Sequence, residues 1–269
     1  MQIRVFASSS AGNCTLVRSG RTAILIDCGL GPERMREALK ECGLDLSGIT
    51  GVLVTHTHSD HLHRGMVGAL RRAGVPLVCA GPVADAIGGQ LELFGADRLP
   101  QITVLERSPA RIGTLEVEHF LVPHDAPGGC YGFVLRRPGA KGGKSVALAT
   151  DIGHVEADLP GWLSTADLAI VESNHDLEML LRSGRPEWLI RRIRTRGHLS
   201  NDENATLVRD ALALPRSRLR HIVLAHLSEQ CNTPAIALRD ARRSAAALGM
   251  ERLRIDCAPA SVSMPPIDL

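Results

Sequence analysis

His56-x-His58-x-Asp60-His61 places four side chains able to hold a metal ion within six residues. The segment follows the apolar run Gly51–Thr55, which is patterned as a strand. Alternate side chains of extended backbone share a face, so His56 and His58 point together and can share one cation. Asp60 and His61 turn past that position and can reach a second. Packing does not account for the cluster, because ionisable groups crowded at a strand end are costly to desolvate unless something pairs with them.

Further candidate ligands stand where other apolar strands run out. His124 follows Leu115–Val122, Asp151 follows Val146–Ala149, and His226 follows Ile222–Ala225. Nitrogen and carboxylate donors without thiolate suit zinc or manganese. Two such ions about 3.5–4 Å apart would acidify a shared water and clamp the attacked group, and a phosphodiester suits that arrangement.

Glu172, in Ile170-Val171-Glu172-Ser173-Asn174-His175-Asp176, and His198, in Gly197-His198-Leu199-Ser200, add a carboxylate and an imidazole. The order Asp151, Glu172, His198, His226 is similar to that of the tRNA-processing ribonuclease Z branch of the metallo-β-lactamase superfamily. That resemblance implies a Glu172 that orients His198 and a His198 that assists departure of the leaving oxygen; the alternative is a purely structural hydrogen bond. His175 competes for either role. Arg182, Arg185, Arg191, Arg192, Arg194 and Arg196 crowd the approach to His198. Guanidinium groups grip phosphate with two parallel hydrogen bonds, so Arg191 and Arg192 are candidate contacts to a polyanion. The alternative is a solvated helix face, with Trp188, Leu189 and Ile193 as its apolar side. Ser8–Asn13 offers Ser10 and Asn13 to an anion, or is a plain hairpin turn. With two Trp, one Tyr and four Phe in the chain, base stacking has little to work with.

These residues need a scaffold. The chain has 269 residues, 44% of them hydrophobic and 22% charged, with a net charge of +2. That excludes a disordered chain and leaves enough apolar material for a large core. The balanced charge confines anion binding to a local patch. Seven scattered cysteines without a CxxC pair predict free thiols and no disulfide framework. No apolar run approaches the ~20 residues of a membrane span, and Met1–Ser8 lacks the pattern of a secretory signal, so a cytoplasmic protein is expected.

Strands are expected at Ile3–Ala7, Cys14–Arg18, Ala23–Ile26, Gly51–Thr55, Pro76–Ala80, Ile102–Leu105, Leu115–Val122, Tyr131–Arg136, Ser145–Ala149, Leu168–Glu172, Ile222–Ala225 and Arg252–Asp256. Helices are expected at Pro32–Cys42, Gly65–Arg72, Val83–Leu93, Pro186–Arg194, Asn201–Leu212 and Pro234–Leu248, and Pro138–Gly143 is expected to be a hairpin loop. The mixed order argues for sheets covered by helices, organised as one domain over residues 1–269. The halves echo one another. In each, an apolar strand ends in Asp-x-Gly (Asp27-Cys28-Gly29, Asp151-Ile152-Gly153) and a later one ends in His (His56, His226).

Asp27, His56-x-His58-x-Asp60-His61, His124, Asp151 and His226 together resemble the motifs of the metallo-β-lactamase superfamily. The resemblance implies an α/β fold, an αββα four-layer sandwich of two mixed β-sheets flanked by helices. It also implies two divalent metal ions, Zn2+ or Mn2+. His56, His58 and His124 would hold one; Asp60, His61 and His226 would hold the other; Asp151 would bridge them. Asp27 would support the ligands without binding metal. Asp60, Glu172 and His198 would be the catalytic residues. Ser8–Asn13, Thr55–His61, Pro123–Ala126, Glu172–Asp176, Gly197–Asn201 and Leu224–Ser228 are similar to the YycJ/WalJ-type branch. That branch implies a 5′→3′ exonuclease acting on DNA rather than RNA, with a nucleic acid partner, no membrane, and a homo-oligomer left open. Within the same resemblance stand a small-substrate metallohydrolase, for a cyclic phosphodiester or a thioester, and an RNA-processing nuclease. A metal-stabilised DNA-binding module without catalysis is the third class.

Overall fold

The computed structural model describes residues 1–90, 99–106, 108–139, 143–250 and 252–269. Six strands lie side by side in chain order: β1 (Gln2–Ser9), β2 (Gly12–Ser19), β3 (Thr22–Ile26), β4 (Gly51–Leu53), β5 (Leu77–Cys79) and β6 (Ile102–Val104). A second sheet follows the same rule with β7 (Ala110–Ile112), β8 (Leu115–Val122), β9 (Cys130–Arg137), β10 (Lys144–Ala149), β11 (Leu168–Glu172), β12 (His221–Ala225) and β13 (Arg254–Cys257). The last strand, β14 (Ile267–Asp268), returns to pair with β1 and makes both sheets seven-stranded.

Each sheet starts antiparallel and becomes parallel. The switch falls after β3 in the first and after β10 in the second. The inner parallel strands β4, β5, β11 and β12 are buried along their whole length, which is why their sequences are nearly continuous apolar runs rather than alternations. Parallel neighbours also end at a common edge, so β3, β4, β10, β11 and β12 deliver their following residues to one rim. Apolar side chains of both sheets meet between the layers, among them Ile24, Leu53, Phe133, Leu148, Ile170 and Val223.

Helices cover the outer faces. The first sheet carries α1 (Pro32–Lys40), α2 (Arg64–Ala73) and α3 (Gly81–Gly89), which bury Met35, Leu39, Met66, Leu70, Val83 and Ile87. The second carries α4 (Leu159–Ser164), α7 (Asn201–Ala213) and α8 (Pro234–Ala247), and two short helices, α5 (Leu177–Leu181) and α6 (Glu187–Arg192), stand between α4 and α7 in the chain. Leu163, Leu207, Val208, Ala237 and Ala241 fill that outer core. Two seven-stranded mixed sheets with helices outside are the expected four-layer sandwich.

Some expectations needed correction. Residues 91–93 of the expected helix Val83–Leu93 lie outside the described residues, as do residues 140–142 of the expected loop Pro138–Gly143. The helix expected over Pro186–Arg194 stops at Arg192 and widens into a π turn over Ile193–Gly197. Its apolar side is not the one expected, for Trp188 is 66% exposed. Leu189 and Ile193, four residues apart, are half-buried and line one cavity, and Trp188 stands about 100° round the helix from Leu189. β7, β14, α4 and α5 were too short to carry a periodic signal.

Candidate metal centre

Chain turns at the strand ends aim the ligand candidates inward. Four non-glycine residues adopt positive φ among the described residues: Asp27 (59°), Asp151 (58°), His226 (54°) and Arg216 (66°). The first three belong to the site. Left-handed backbone is sparsely populated, although Asp and His tolerate it better than most side chains. Here it is held from several sides. Asp27 N–H donates to Leu53 O (2.8 Å), His226 N–H to Ser8 Oγ (2.9 Å), and Asn174 Nδ2 to His226 O (2.8 Å).

The glycine of each Asp-x-Gly lets a second loop approach. A Cβ on Gly29 would lie 1.7 Å from Asp60 O, and one on Gly153 would lie 2.6 Å from Arg196 O and 2.8 Å from Pro123 O. Gly29 thus admits the Asp60 turn, and Gly153 admits the segments carrying His124 and His198.

Two groups of donors result. Ligand atoms of His56, His58 and His124 all lie within 4.8 Å of one another, as do those of Asp60, His61 and His226. Asp151 joins His56 and His61 in one overlapping group and His226 in another, so it stands between the two sets. His56 Nε2 faces His58 Nδ1 at 3.0 Å. Burial lowers both imidazoles below their ordinary range, and neighbouring histidines push the same way. His124 Nδ1 donates to Gly197 O (3.1 Å), leaving Nε2 as its donor atom for a cation.

In the other group Asp27 Oδ2 accepts from His61 Nδ1 at 2.7 Å, so His61 Nε2 faces the centre. Asp27 Oδ1 also accepts the Thr55 N–H at 2.9 Å, which fixes the start of the histidine-rich turn. Burial alone would lower His61 and His226, yet the Asp151 carboxylate, with Asp27 at His61 and with Asp60 and Glu172 at His226, raises both. His61 lies well above its ordinary range and His226 rises to about 10. Against burial, the same histidines hold Asp151 well below the usual carboxylate range.

These donors fit metal ions. Asp151 Oδ2 and His226 Nε2 are buried without a hydrogen-bond partner. Asp151 Oδ2 is 3.0 Å from His61 Nε2 but lacks the alignment of a hydrogen bond. A carboxylate oxygen and imidazole nitrogens converging without aligned hydrogens suit a divalent cation, and the absence of thiolate from both sets favours a borderline or hard ion.

Glu172 organises the neighbouring side of the centre. It is fully buried. Its Oε1 accepts from His198 Nδ1 (2.8 Å) and His226 Nδ1 (2.9 Å), and its Oε2 from the N–H groups of Ile152 (2.6 Å) and Leu199 (3.2 Å). Burial would raise this carboxyl, but the His198 and His226 contacts hold it below the usual range. His198 lies two residues before Ser200, the N-cap of α7, whose first turn is closed by the reciprocal Ser200–Glu203 capping box. The cap anchors the backbone from which His198 reaches Glu172.

An open cleft of about 210 Å³ runs over His58, Asp60, His124, Asp151, His198 and His226. Ser10 and Arg192 line it as well. Asn13 does not: it is buried, with Nδ2 3.0 Å from Ser9 O and 3.0 Å from His61 Nε2, and it braces the Asp60 turn. Arg191 is exposed and lines no part of the cleft. His175 is buried beside an adjoining cavity that His198 also lines. His154 is exposed and paired with Glu156 at 3.0 Å. All seven cysteines are free. Sequence reasoning gave no individual role to Thr55, Ser8 and Asn174, which fix strand ends; each falls inside a motif segment, and that membership was their only signal.

The sequence matches the Beta-lactamase superfamily domain over residues 22–226. It is 32% identical over 241 residues to the exodeoxyribonuclease YycJ of Bacillus anthracis, covering 88% of this chain and 86% of that protein. It is 32% identical over 238 residues to the exodeoxyribonuclease WalJ of Streptococcus pneumoniae, covering 87% and 84%. The fold superposes on the metallo-β-lactamase fold protein YhfI of Bacillus subtilis with a TM-score of 0.70 at 16% identity, covering 98% of this chain and 99% of that one.

Proposed function

The chain belongs to the β-lactamase superfamily, as a hydrolase of the metallo-β-lactamase fold, and from that premise we propose that it is a dinuclear phosphodiesterase removing nucleotides from the 5′ end of DNA. His56, His58 and His124 would hold one divalent ion and Asp60, His61 and His226 the other, with Asp151 placed to serve both sets. Zn2+ or Mn2+ suits the donor set. Bound there, the ions supply Lewis acidity to the phosphoryl oxygens and an acidified water.

The observation that carries the reading is the Glu172 oxygen shared by His198 and His226. One carboxylate sets the tautomer of a metal-binding imidazole and of an imidazole that lines the cleft. With Nδ1–H tied to Glu172, His198 presents Nε2 to substrate. When protonated it donates that proton to the 3′ oxygen as the P–O3′ bond breaks, and it stabilises the charge that grows there. Asp151 Oδ1 lies 3.6 Å from His198 Nδ1, beside the Glu172 contact. Arg192 stands at the rim, held by Asp125 at 2.7 Å, where it can meet a neighbouring phosphate. Arg191, Arg194 and Arg196 are exposed, and no carboxylate of the described residues pairs with them, which suits a polyanion over a small neutral ester. The names of the two exodeoxyribonuclease relatives favour DNA. No helix among the described residues is long and apolar enough to cross a membrane.

The test is hydrolysis of end-labelled DNA and RNA by protein loaded with Mn2+ or Zn2+. Stepwise loss of nucleotides from the 5′ end of DNA is expected. Faster cleavage of RNA would move the reading to an RNA-processing nuclease. Turnover of a small ester with both polymers left intact would overturn it.

A further inference from the structure

A second cavity of about 260 Å³ adjoins the metal cleft. Ser10, Arg192 and His198 line both spaces, so the two are contiguous. His175 lines the second cavity. It is 1% exposed, and both of its ring nitrogens lack a hydrogen-bond partner. A buried imidazole with two unsatisfied nitrogens is rare in a folded chain and needs an explanation. Its backbone is fixed, since Asn201 N–H donates to His175 O at 2.8 Å.

The other polar groups converge on the same space. Arg185 is tethered through Nη2 to Gln230 Oε1 (2.7 Å) and through Nη1 to Cys231 Sγ (2.5 Å). No carboxylate of the described residues forms an ion pair with it, so its charge is unspent. Ser228 Oγ accepts the Cys231 N–H at 3.1 Å, which leaves its hydroxyl hydrogen free to donate. No acidic residue lines this cavity, whereas Asp60, Asp125 and Asp151 line the metal cleft. The two spaces therefore differ in chemistry: one is built for cations, the other for an anion.

Ser10, His175, Arg185 and Ser228 come from four separate stretches of chain and surround the cavity. Donors on several sides match a terminal phosphomonoester, with three free oxygens, better than an internal diester with two. We infer that this cavity holds the 5′-terminal phosphate of the substrate strand, with the scissile diester further along the strand in the metal cleft. The inference rests on the exonuclease reading and deepens it. Water adds its oxygen to phosphorus, the P–O3′ bond breaks, and O3′ leaves with the His198 proton. The phosphoryl group stays on the shortened strand, so each turnover renews the end that the cavity recognises.

Binding is measured without catalysis. The full-length protein, stripped of metal with EDTA, is titrated into a 3′-fluorescein oligodeoxynucleotide ending in 5′-phosphate or in 5′-hydroxyl, and into a 5′-labelled one ending in 3′-phosphate. The 5′-phosphate strand is expected to bind about tenfold tighter than the 5′-hydroxyl strand, the scale of one charge-assisted hydrogen bond. R185Q is expected to bring that ratio to about one, and H175Q to reduce it. Arg185 is half-buried at the cavity mouth, so R185Q decides the matter even if H175Q fails to fold. Equal binding of the two 5′ ends, a preference that survives R185Q, or a preference for the 3′-phosphate alone overturns the inference. A metal-loaded protein that degrades DNA yet shows a flat ratio sinks only the subsite. A clear ratio without nuclease activity sinks only the proposed reaction.

Discussion

Replacing Glu172 with glutamine keeps the shape and removes the logic of the site. The carboxylate serves two imidazole N–H groups on Oε1 and two backbone N–H groups on Oε2. An amide has one oxygen, so one pair must face its NH2. Facing Ile152 and Leu199, the NH2 opposes donors that cannot change. Facing the histidines, it forces His198 and His226 to give up the Nδ1 proton and carry it on Nε2. That proton then occupies the His226 nitrogen assigned to the metal. Each hydrogen bond to the charged carboxylate is worth about 1.5–3 kcal/mol, and the tautomer shift recovers only part of one pair. Loss of an orienting partner typically weakens metal affinity 10–100-fold, or about 1.4–2.7 kcal/mol. Misdirecting a general acid costs about 10²–10⁴ in kcat. E172Q should show both losses. Competition with a chromophoric chelator reads the first, and turnover of DNA at saturating metal reads the second, with circular dichroism confirming the fold. An E172Q protein that keeps its fold, and whose metal affinity and kcat both stay within about twofold of the parent, would refute the tautomer argument.

Three other outcomes follow from the same geometry. H198Q should lower kcat by about 10²–10⁴ while metal content stays unchanged, and loss of metal instead would make His198 a ligand. G153A should destabilise the protein by about 1–3 kcal/mol and depress activity, because its Cβ meets backbone oxygens. G161A, with nothing within 4 Å of the new methyl, should leave thermal stability intact. Equal melting shifts for the two would contradict the close-approach argument. Metal uptake should release about two protons per chain at pH 7.5, because His61 and His226 carry theirs in the empty site and a cation displaces them. The sign follows from raised values: both protons are present below the ordinary histidine range, and that on His226 is lost as pH rises through about 10. Calorimetry in buffers of different ionisation enthalpy reads the count, and a heat independent of buffer would contradict it.

The donor candidates were legible because four of them sit where an apolar run stops and the other three follow His56 at tight spacing. His56, His124, Asp151 and His226 follow strands whose patterns are unmistakable, and parallel pairing takes their ends to one rim. The Asp-x-Gly echo was visible too, and its cause is steric: Gly29 and Gly153 each face a backbone oxygen that a side chain would strike. Contacts between distant segments were not legible. Ser8 and His226 are 218 residues apart, and neither neighbourhood announces that a hydroxyl accepts the other's N–H. Asn13 looks like an open-loop residue from its Ser/Gly-rich surroundings, yet the Asp60 turn folds over it. Trp188 defeated a pattern argument because apolar type does not tell which side of a short helix meets a neighbour. The second task of Glu172 was hidden as well, since nothing in the spacing of Glu172 and His226 says that one oxygen serves both histidines.

Seven side chains from both sheets are proposed to cage a pair of ions. Anomalous diffraction from crystals of the protein loaded with Mn2+ or Zn2+ tests this most directly. Two peaks are expected, one among His56, His58 and His124 and one among Asp60, His61 and His226, with Asp151 in reach of both. A single peak elsewhere, or none at full metal loading, would contradict it.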